Sequence, residues 1–597
     1  MIHSLLFLAG DGYRNFGLKL VLLVFLMVLS SAFEGLALAV AMPLLATLSG
    51  SNGSRLRDSG GILPSPDDLL LPFTSPEHIG LLMITLIMAS ALAFLGQARL
   101  SAAMQTEYAL RWQTKLFAST LAAGPRLFDQ QRSGDVSAAL VAEIERVSGA
   151  FYHGCILISA VINFLLYFTL AAVISPLTTA MVAGLGLLLF VATRPVMRRA
   201  YRYGEAITRA VADIQTLISG HVSFLKEVKA NVAERMARIV VSDAAKRLAR
   251  SHFRSTYDLH KSKAIFEFGG AAGIAILLII GPLLLNIDLF QIIVVLAIFV
   301  RVLPRITALQ QSLQALGKLV PALDKVRSLH EVAASLAEKD DPRPLPSTCA
   351  TTPPTIRYEA VTVSRSGKRI LDNVGLVIPS GRIVAFVGPS GSGKSTLVDA
   401  ILGLVPLASG SITVNGTPLA ELPLPAWRRA VGYVGQDTML MGGTIADNVR
   451  FGNDATDAQV EAALARASAA FVGALALGSA TEVGDRGVRL SGGERQRIGL
   501  ARALAVPRLL YILDEATSAL DAETEAEVID TVAQLAGKAT VIVVAHRFSA
   551  IRAADIIHVV EDGRIVESGR WEELDRPGTR FRTLRALQHA MPDMPAD

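Results

Sequence analysis

Apolar residues run almost unbroken over several stretches in the first half of the chain. A helix needs about 20 such residues to cross the roughly 30 Å hydrocarbon core of a bilayer. Six stretches are predicted as spans: Leu18–Leu48, Ile79–Gly96, Phe151–Ile174, Leu177–Thr193, Ala264–Leu285 and Leu289–Ala308. Ser175-Pro176 and Asn286–Asp288 leave room only for tight hairpins between neighbouring spans. The connections Arg99–Gly149 and Arg194–Lys263 keep helical periodicity without apolar continuity, which predicts spans that continue as helices well beyond the membrane. Past residue 310 the pattern changes. Short aliphatic runs, Ile383–Val387, Leu509–Leu513 and Thr540–Ala545, alternate with helical segments, as strands buried on both faces of a parallel sheet do. Between the two regimes, Lys339–Pro354 holds Pro342, Pro344, Pro346, Pro353 and Pro354, which predicts a stiff extended linker. No internal repeat is found.

Composition agrees with this division. Hydrophobic residues make up 51% of the 597, charged residues 18%, and the mean hydropathy is +0.45. Lys and Arg number 6 in Arg99–Gly149 and 15 in Arg194–Lys263, against Arg55 and Arg57 alone in Ser49–His78. That asymmetry predicts both long connections and both termini on the cytoplasmic side, with a bacterial inner membrane as the expected location. The net charge of +5 is thereby assigned to topology, and no nucleic-acid partner is expected. The first apolar run exceeds the 7–15 residues of a signal-peptide core and is expected to stay as a span. Ile2–Gly17 before it reads as a short interfacial helix. Cys155 and Cys349 offer neither a disulfide framework nor a metal pair, and read as a small buried residue and a linker residue.

Charges inside spans are costly and face a cavity or a partner. Glu34 and Arg301 are the two singled out as lining a substrate path, with a structural ion pair or snorkelling as the bland reading. Glu34 stands roughly 24 Å from Leu18 and Arg301 roughly 20 Å from Asp288 at the opposite face, so the two are not expected to meet. In the outward loop, Asp67-Asp68-Leu69-Leu70-Leu71-Pro72-Phe73 is an acidic-then-apolar patch suited to a membrane surface, or an ordinary loop with incidental leucines.

The soluble half carries the chemistry. Gly388-Pro389-Ser390-Gly391-Ser392-Gly393-Lys394-Ser395 fits GxxxxGK[ST], follows an aliphatic strand and opens a helical pattern that begins at Thr396. Its glycines let backbone N–H groups wrap phosphate oxygens, Lys394 reaches the β- and γ-phosphates, and Ser395 ligates Mg²⁺. Asp514 ends a second buried strand, where it is placed to hold Mg²⁺. Glu515 beside it is the candidate general base.

Further motifs carry a resemblance to a known family. Leu490-Ser491-Gly492-Gly493-Glu494-Arg495-Gln496-Arg497 resembles the signature motif of the ATP-binding cassette family. Gln436 resembles its Q-loop glutamine, Ser518-Ala519-Leu520-Asp521 its D-loop, His546 its switch histidine and Thr481–Gly487 the X-loop of its exporters. Phe128-Asp129 with Ser133-Gly134-Asp135, and Leu225–Glu234, resemble its two coupling-helix regions. One departure stands out: Arg365 occupies the position where the family stacks an aromatic ring on adenine, and Tyr358, earlier in the strand, reads as a packing residue.

The resemblance implies a type IV exporter half-transporter: an all-α six-helix transmembrane domain (residues 1–335), a linker (336–355) and an α/β P-loop nucleotide-binding domain (356–597). It implies ATP and Mg²⁺ as cofactors. The implied nucleotide contacts are Gly388 to Thr396, Gln436, Ser491, Gly492, Gly493, Asp521 and Arg365; the metal contacts are Ser395, Gln436 and Asp514; the catalytic pair is Glu515 and His546. In the family, the signature motif of one copy meets the phosphate loop of another, so a homodimer in a lipid bilayer is implied, moving a substrate outward that the sequence leaves unidentified. The stretch Phe299–Pro304 resembles lipid-linked oligosaccharide flippases and some peptide exporters. An amphipathic or lipid-linked substrate is therefore the first reading, a modified peptide or drug-like compound the second, and a cassette protein without transport the third.

Overall fold

The computed structural model describes residues 2–48, 76–174, 176–285, 289–365, 367–545 and 547–589. Asp67–Phe73, Ser175, Asn286–Asp288 and His546 fall outside them, as does the side chain of Arg301. The chain divides into two compact units, Met1–Ala337 and Glu338–Asp597.

The first unit is helical: α1 (Ile2–Phe16), α2 (Leu18–Leu48), α3 (Pro76–Ala123), α4 (Ile144–Ile174), α5 (Pro176–Ser223), α6 (Leu225–Ala230), α7 (Glu234–Leu285) and α8 (Leu289–Leu336). Short turns at Leu127–Gln130 and Ser133–Ala138 lead into α4. At 48 residues, α3 is about 72 Å long, far more than a bilayer requires. Among the described residues, four helical stretches are long and apolar enough to cross a membrane: Leu18–Ala37, Glu77–Gln130, Ser133–Thr169 and Thr179–Ser223. The expectation of six is met to that extent. The remaining two predicted spans lie in α7 and α8, on either side of residues 286–288.

The core of this bundle contains Tyr108 and Trp112 of α3, Phe151 of α4, and Leu316, Leu323 and Val326 of α8. The predicted interfacial helix α1 is seated on it. Asp11 accepts hydrogen bonds from the Tyr108 hydroxyl (2.9 Å) and the Trp112 indole (3.3 Å), while Tyr108 stacks on Phe151 at 4.7 Å. Leu8 and Phe16 are buried and Leu6 and Tyr13 exposed, the two faces of an amphipathic helix. Nearer the α8 end of the bundle, Arg146 ties three helices together. It donates to Glu143 (2.8 Å) and Thr208 (2.6 Å), and to the carbonyls of Lys318 (3.0 Å) and Gly204 (3.3 Å). A Cβ on Gly204 would stand 2.3 Å from the Lys318 carbonyl oxygen, so only glycine lets α5 and α8 approach this closely. Glu34 does have a charged partner: Arg305 of α8, at 2.8 Å.

The second unit holds two sheets. One has the order β10-β9-β3-β8-β7-β6, from strands β3 (Ile383–Val387), β6 (Val431–Val434), β7 (Leu510–Asp514), β8 (Thr540–Val544), β9 (Ile556–Glu561) and β10 (Arg564–Gly569). It is parallel apart from β10. The other is antiparallel with the order β2-β1-β4-β5, from β1 (Ile356–Arg365), β2 (Lys368–Ile378), β4 (Ser409–Val414) and β5 (Thr417–Pro418). Every residue of β3, β7 and β8 is buried. Along β3, Ile383, Ala385 and Val387 enter one core, and Val384 and Phe386 the other. Burial on both faces explains why these strands read as unbroken aliphatic runs.

The proline-rich stretch, expected as a linker, packs into the second unit. Cys349 is fully buried there, and the Asn415 side chain accepts from Thr355 N (2.7 Å) and donates to Thr348 O (2.7 Å). Arg428 makes a two-pronged ion pair with Glu338 at 2.6 and 2.8 Å. Prolines supply the extended backbone, but the buried Cys349 between them gives it something to dock with. Composition alone does not separate a docked strap from a free linker.

Candidate nucleotide-binding site

Parallel strands deliver their C-terminal ends to one edge of the sheet, and here β3 and β7 deliver the two halves of a phosphate site. The loop after β3 runs Gly388 to Gly393 into helix α9 (Lys394–Ile401). A Cβ on Gly388 would fall 2.0 Å from the Val560 carbonyl oxygen, and one on Gly393 2.9 Å from a Leu371 methyl. Gly393 has φ +106 and caps α9 without a side-chain hydrogen bond, which leaves the N–H groups of its first turn to another acceptor. Pro389 is half-buried, Ser390 and Gly391 are exposed, and Ser395 and Thr396 stand in the first turn. Lys394 is buried and its Nζ donates to the Gly388 and Pro389 carbonyls, each at 2.9 Å. Burial lowers its pKa, opposed by the charges of Glu515 and Asp514. The backbone is thus arranged for a polyanion, with a cation held across the loop.

At the end of β7, Asp514 is buried and its Oδ1 has no hydrogen-bond partner among the described residues. Burial raises its pKa, a hydrogen bond from Ser395 pulls it back, and the nearby Glu515 charge raises it further. An orphaned carboxylate oxygen beside a serine hydroxyl is a hard-oxygen donor pair that suits Mg²⁺. That ion takes most of its remaining ligands from phosphate and water. Among the described residues no group of three or more His, Cys, Asp or Glu is placed to hold a metal.

Glu515 follows in the left-handed region, φ +53, a strain of about 1–2 kcal/mol for a residue with a side chain. Its N–H donates to Val544 O at 2.9 Å, and the Gln496 amide donates to its carbonyl at 3.3 Å. Its carboxylate accepts from Gln436 Nε2 at 2.9 Å, so the Q-loop residue and the candidate base are in direct contact.

The signature motif forms the start of helix α10 (Gly492–Leu504). Ser491 caps it through the Glu494 N–H, and Glu494 returns the bond to the Ser491 N–H at 2.7 Å. Gly492 and Gly493 pack on Ala519; a Cβ on Gly493 would stand 2.9 Å from its carbonyl oxygen. Asp521, matched to the D-loop, caps helix α11 (Ala522–Ala533) by accepting from the Thr524 N–H and hydroxyl, both at 2.9 Å. Arg365 ends β1 opposite Lys368 and acts on α9, where its charge lowers the pKa of Asp399 against the larger upward effect of burial. Tyr358 is buried with its hydroxyl on the Leu397 carbonyl (2.7 Å), a packing residue with one polar tie. Thr481–Gly487 is fastened to the loop after Gln436 by a bridge between Thr444 and Glu482.

Three residues given no site role from the sequence organise this site: Gln496 within the signature motif, and Glu525 and Arg547 outside any motif. Gln496 donates to Ser518 Oγ (2.9 Å) and accepts from Ala519 N (3.0 Å), joining α10 to the turn that follows Glu515. Glu525 is buried and pairs with Arg547 at 3.0 Å. Arg547 in turn donates to the Leu520 and Ser518 carbonyls. Their partners lie some 20 residues away in sequence, so only the fold reveals their role. A buried glutamine within a polar motif was the available signal.

Residues 371–518 match the family model described as ABC transporter. An ATP-dependent lipid A-core flippase of Burkholderia pseudomallei is 44% identical over 227 residues, which is 38% of each chain. The mitochondrial ATP-dependent permease MDL1 of Schizosaccharomyces pombe is 30% identical over 503 residues, covering 80% of this chain and 67% of the permease. The chain spans less than half the length of the bacterial relatives it matches at higher identity. A bacterial Atm1-family ABC exporter with ATP bound shares the fold, with a TM-score of 0.78 over 96% of this chain and 99% of that one at 23% identity. With a phosphate loop, an acidic strand end and a capped signature helix on one sheet edge, and a relative matched over two thirds of its length, the chain belongs to the ABC transporter family.

Proposed function

We propose that two copies of this chain form an ATP-driven exporter or flippase that moves an amphipathic, lipid-linked substrate outward through six spans per copy. The observation that carries the reading is the convergence of Lys394, Asp514 and Glu515 beyond the C-terminal ends of β3 and β7, the two strands that flank β8, with Gln436 bonded to Glu515. Lys394 and the first-turn N–H groups of α9 bind the triphosphate. Glu515 polarises the attacking water, and Gln436 relays its position to the loop that leads toward Thr444. Mg²⁺, when bound at Ser395 and Asp514, offsets the charge on the transferring phosphoryl group. His546 completes the catalytic pair.

The case for two copies is chemical. Within one copy, Gly492 and Gly493 face Ala519 while Lys394 faces its own loop, so the signature helix has phosphate-binding N–H groups to offer a second cassette. The coupling helix α6 and its neighbours leave Phe224, Leu225, Val232 and Met236 exposed, and the cassette exposes Met439, Met441 and Phe451. Apolar surfaces of this kind suit a partner subunit. The flippase relative favours a lipid-linked substrate over a peptide.

Glu515→Gln tests the reading. The variant should bind ATP as tightly as the wild type and hydrolyse it roughly 10²–10⁴-fold more slowly, the usual contribution of a general base. Turnover at the wild-type rate would falsify the assignment of Glu515.

A further inference from the structure

The ion pair between α2 and α8 has spare capacity on one side only. Counted from the helix ends Leu48 and Leu289, Glu34 is about 21 Å along and Arg305 about 24 Å, which puts them level. The expectation that Glu34 and Arg301 do not meet concerns a different pair, and the Arg301 side chain lies outside the described residues. An arginine at this depth among apolar helices is costly unless its charge and its N–H groups are met. A guanidinium has five N–H donors. Arg305 spends one of them, from Nη2 to Glu34 Oε2, and its side chain is still 36% exposed. Among the described residues no other acceptor stands within hydrogen-bond reach of Arg305.

A second observation on α8 points the same way. Gln310, about 7 Å further along, is fully buried, and both its amide atoms lack a partner among the described residues. Asn163 on α4 is a contrast: Ser31 donates to it at 2.7 Å, and it donates to the Ser159 carbonyl at 2.8 Å. Asn163 is thus satisfied within the bundle, whereas Gln310 on α8 carries unspent hydrogen-bonding groups among the described residues.

We propose that Arg305, positioned by Glu34, is the headgroup-recognition point for an anionic amphiphile. The inference rests on the exporter reading and names its substrate class. A phosphate or carboxylate headgroup fits the fork of the guanidinium. The apolar tail follows from the depth: Glu34 lies within Leu18–Ala37, a stretch long and apolar enough to cross a membrane, so a ligand held at Arg305 has hydrocarbon around it. Glu34 competes for the same donors, which keeps Arg305 ordered and permits release.

The test is equilibrium binding to the full chain in nanodiscs of neutral lipid, with empty nanodiscs subtracted. The probes are dodecyl phosphate, dodecyl maltoside, dodecyltrimethylammonium and inorganic phosphate. Dodecyl phosphate should bind about tenfold or more tightly than the other three, and Arg305→Gln should abolish that preference. Glu34→Gln, which frees the guanidinium, should strengthen dodecyl phosphate binding several-fold. Equal binding of the three amphiphiles overturns the proposal, as does inorganic phosphate binding as well as dodecyl phosphate, or a preference that survives Arg305→Gln. Should Arg305→Gln fail to fold, unchanged or weaker binding by Glu34→Gln overturns it equally. Wild-type ATP turnover on the same samples reports on the exporter reading separately.

Discussion

Gln496 shows how much a single side chain can organise. Its amide reaches the Glu515 carbonyl, the Ser518 hydroxyl and the Ala519 N–H, and so holds the turn that carries the candidate base in a strained backbone conformation. Gln496→Ala leaves Lys394 and the phosphate loop untouched. It should therefore keep nucleotide affinity while lowering the hydrolysis rate roughly tenfold or more, because a small displacement of a reacting group is enough. Parallel measurements of nucleotide binding and phosphate release separate the two effects. If hydrolysis is unchanged, the turn is held by its backbone alone. At this scale the nucleotide motifs were legible, since each reflects a local demand: glycines for a tight loop, a lysine for charge, an acid at a strand end. The ion pair of Glu34 was legible by half. Its cost is visible in sequence, but its partner depends on how two helices 271 positions apart in residue number align.

Among the elements, β9 carries a buried titratable group beneath the phosphate loop. His558 stacks on Phe386 of β3 at 5.8 Å, and its Nδ1 meets Ser568 Oγ at 2.7 Å. Its Nε2 is buried without a partner among the described residues. Burial lowers its pKa from 6.5 to about 4, with a smaller upward effect from the Val377 backbone. Between those values the unfolded chain binds a proton that the folded chain refuses, so stability rises with pH across that window. It is fully present above pH 6.5 and lost as pH falls toward 4. From pH 7 to pH 5 the loss from this one ring is roughly 2 kcal/mol. His558→Gln, which cannot take up the proton, should flatten that part of the dependence in thermal melts of the full chain. An equally steep profile would locate the acid sensitivity elsewhere. The strands themselves were readable because burial on both faces leaves no polar positions. The docked proline-rich stretch was not, because its partners Asn415 and Arg428 come from beyond β4.

For the molecule as a whole, the decisive expectation concerns pairing. If each site joins one copy's phosphate loop to the other's signature helix, Lys394→Ala and Gly492→Asp chains should each be inactive alone. Mixed together, they form heterodimers in which one site holds both defects and the other holds none. Co-purified mixtures should then hydrolyse ATP at a rate neither parent reaches, and a chain carrying both substitutions should rescue nothing. Failure of the mixture to recover activity argues for sites complete within one copy.

Read alone, the sequence determined the membrane-then-cassette order, the phosphate loop and the acidic strand end, because these depend on local composition and on spacing within a few residues. Tertiary structure decided which polar groups meet. It brought Gln436 to Glu515, Gln496 to the turn beyond it, and Arg305 to Glu34. The physical reason is the range of the interactions. Hydropathy and backbone propensity act along a few neighbouring residues, whereas a hydrogen bond or ion pair exists only where the packing of distant elements leaves its two atoms about 3 Å apart.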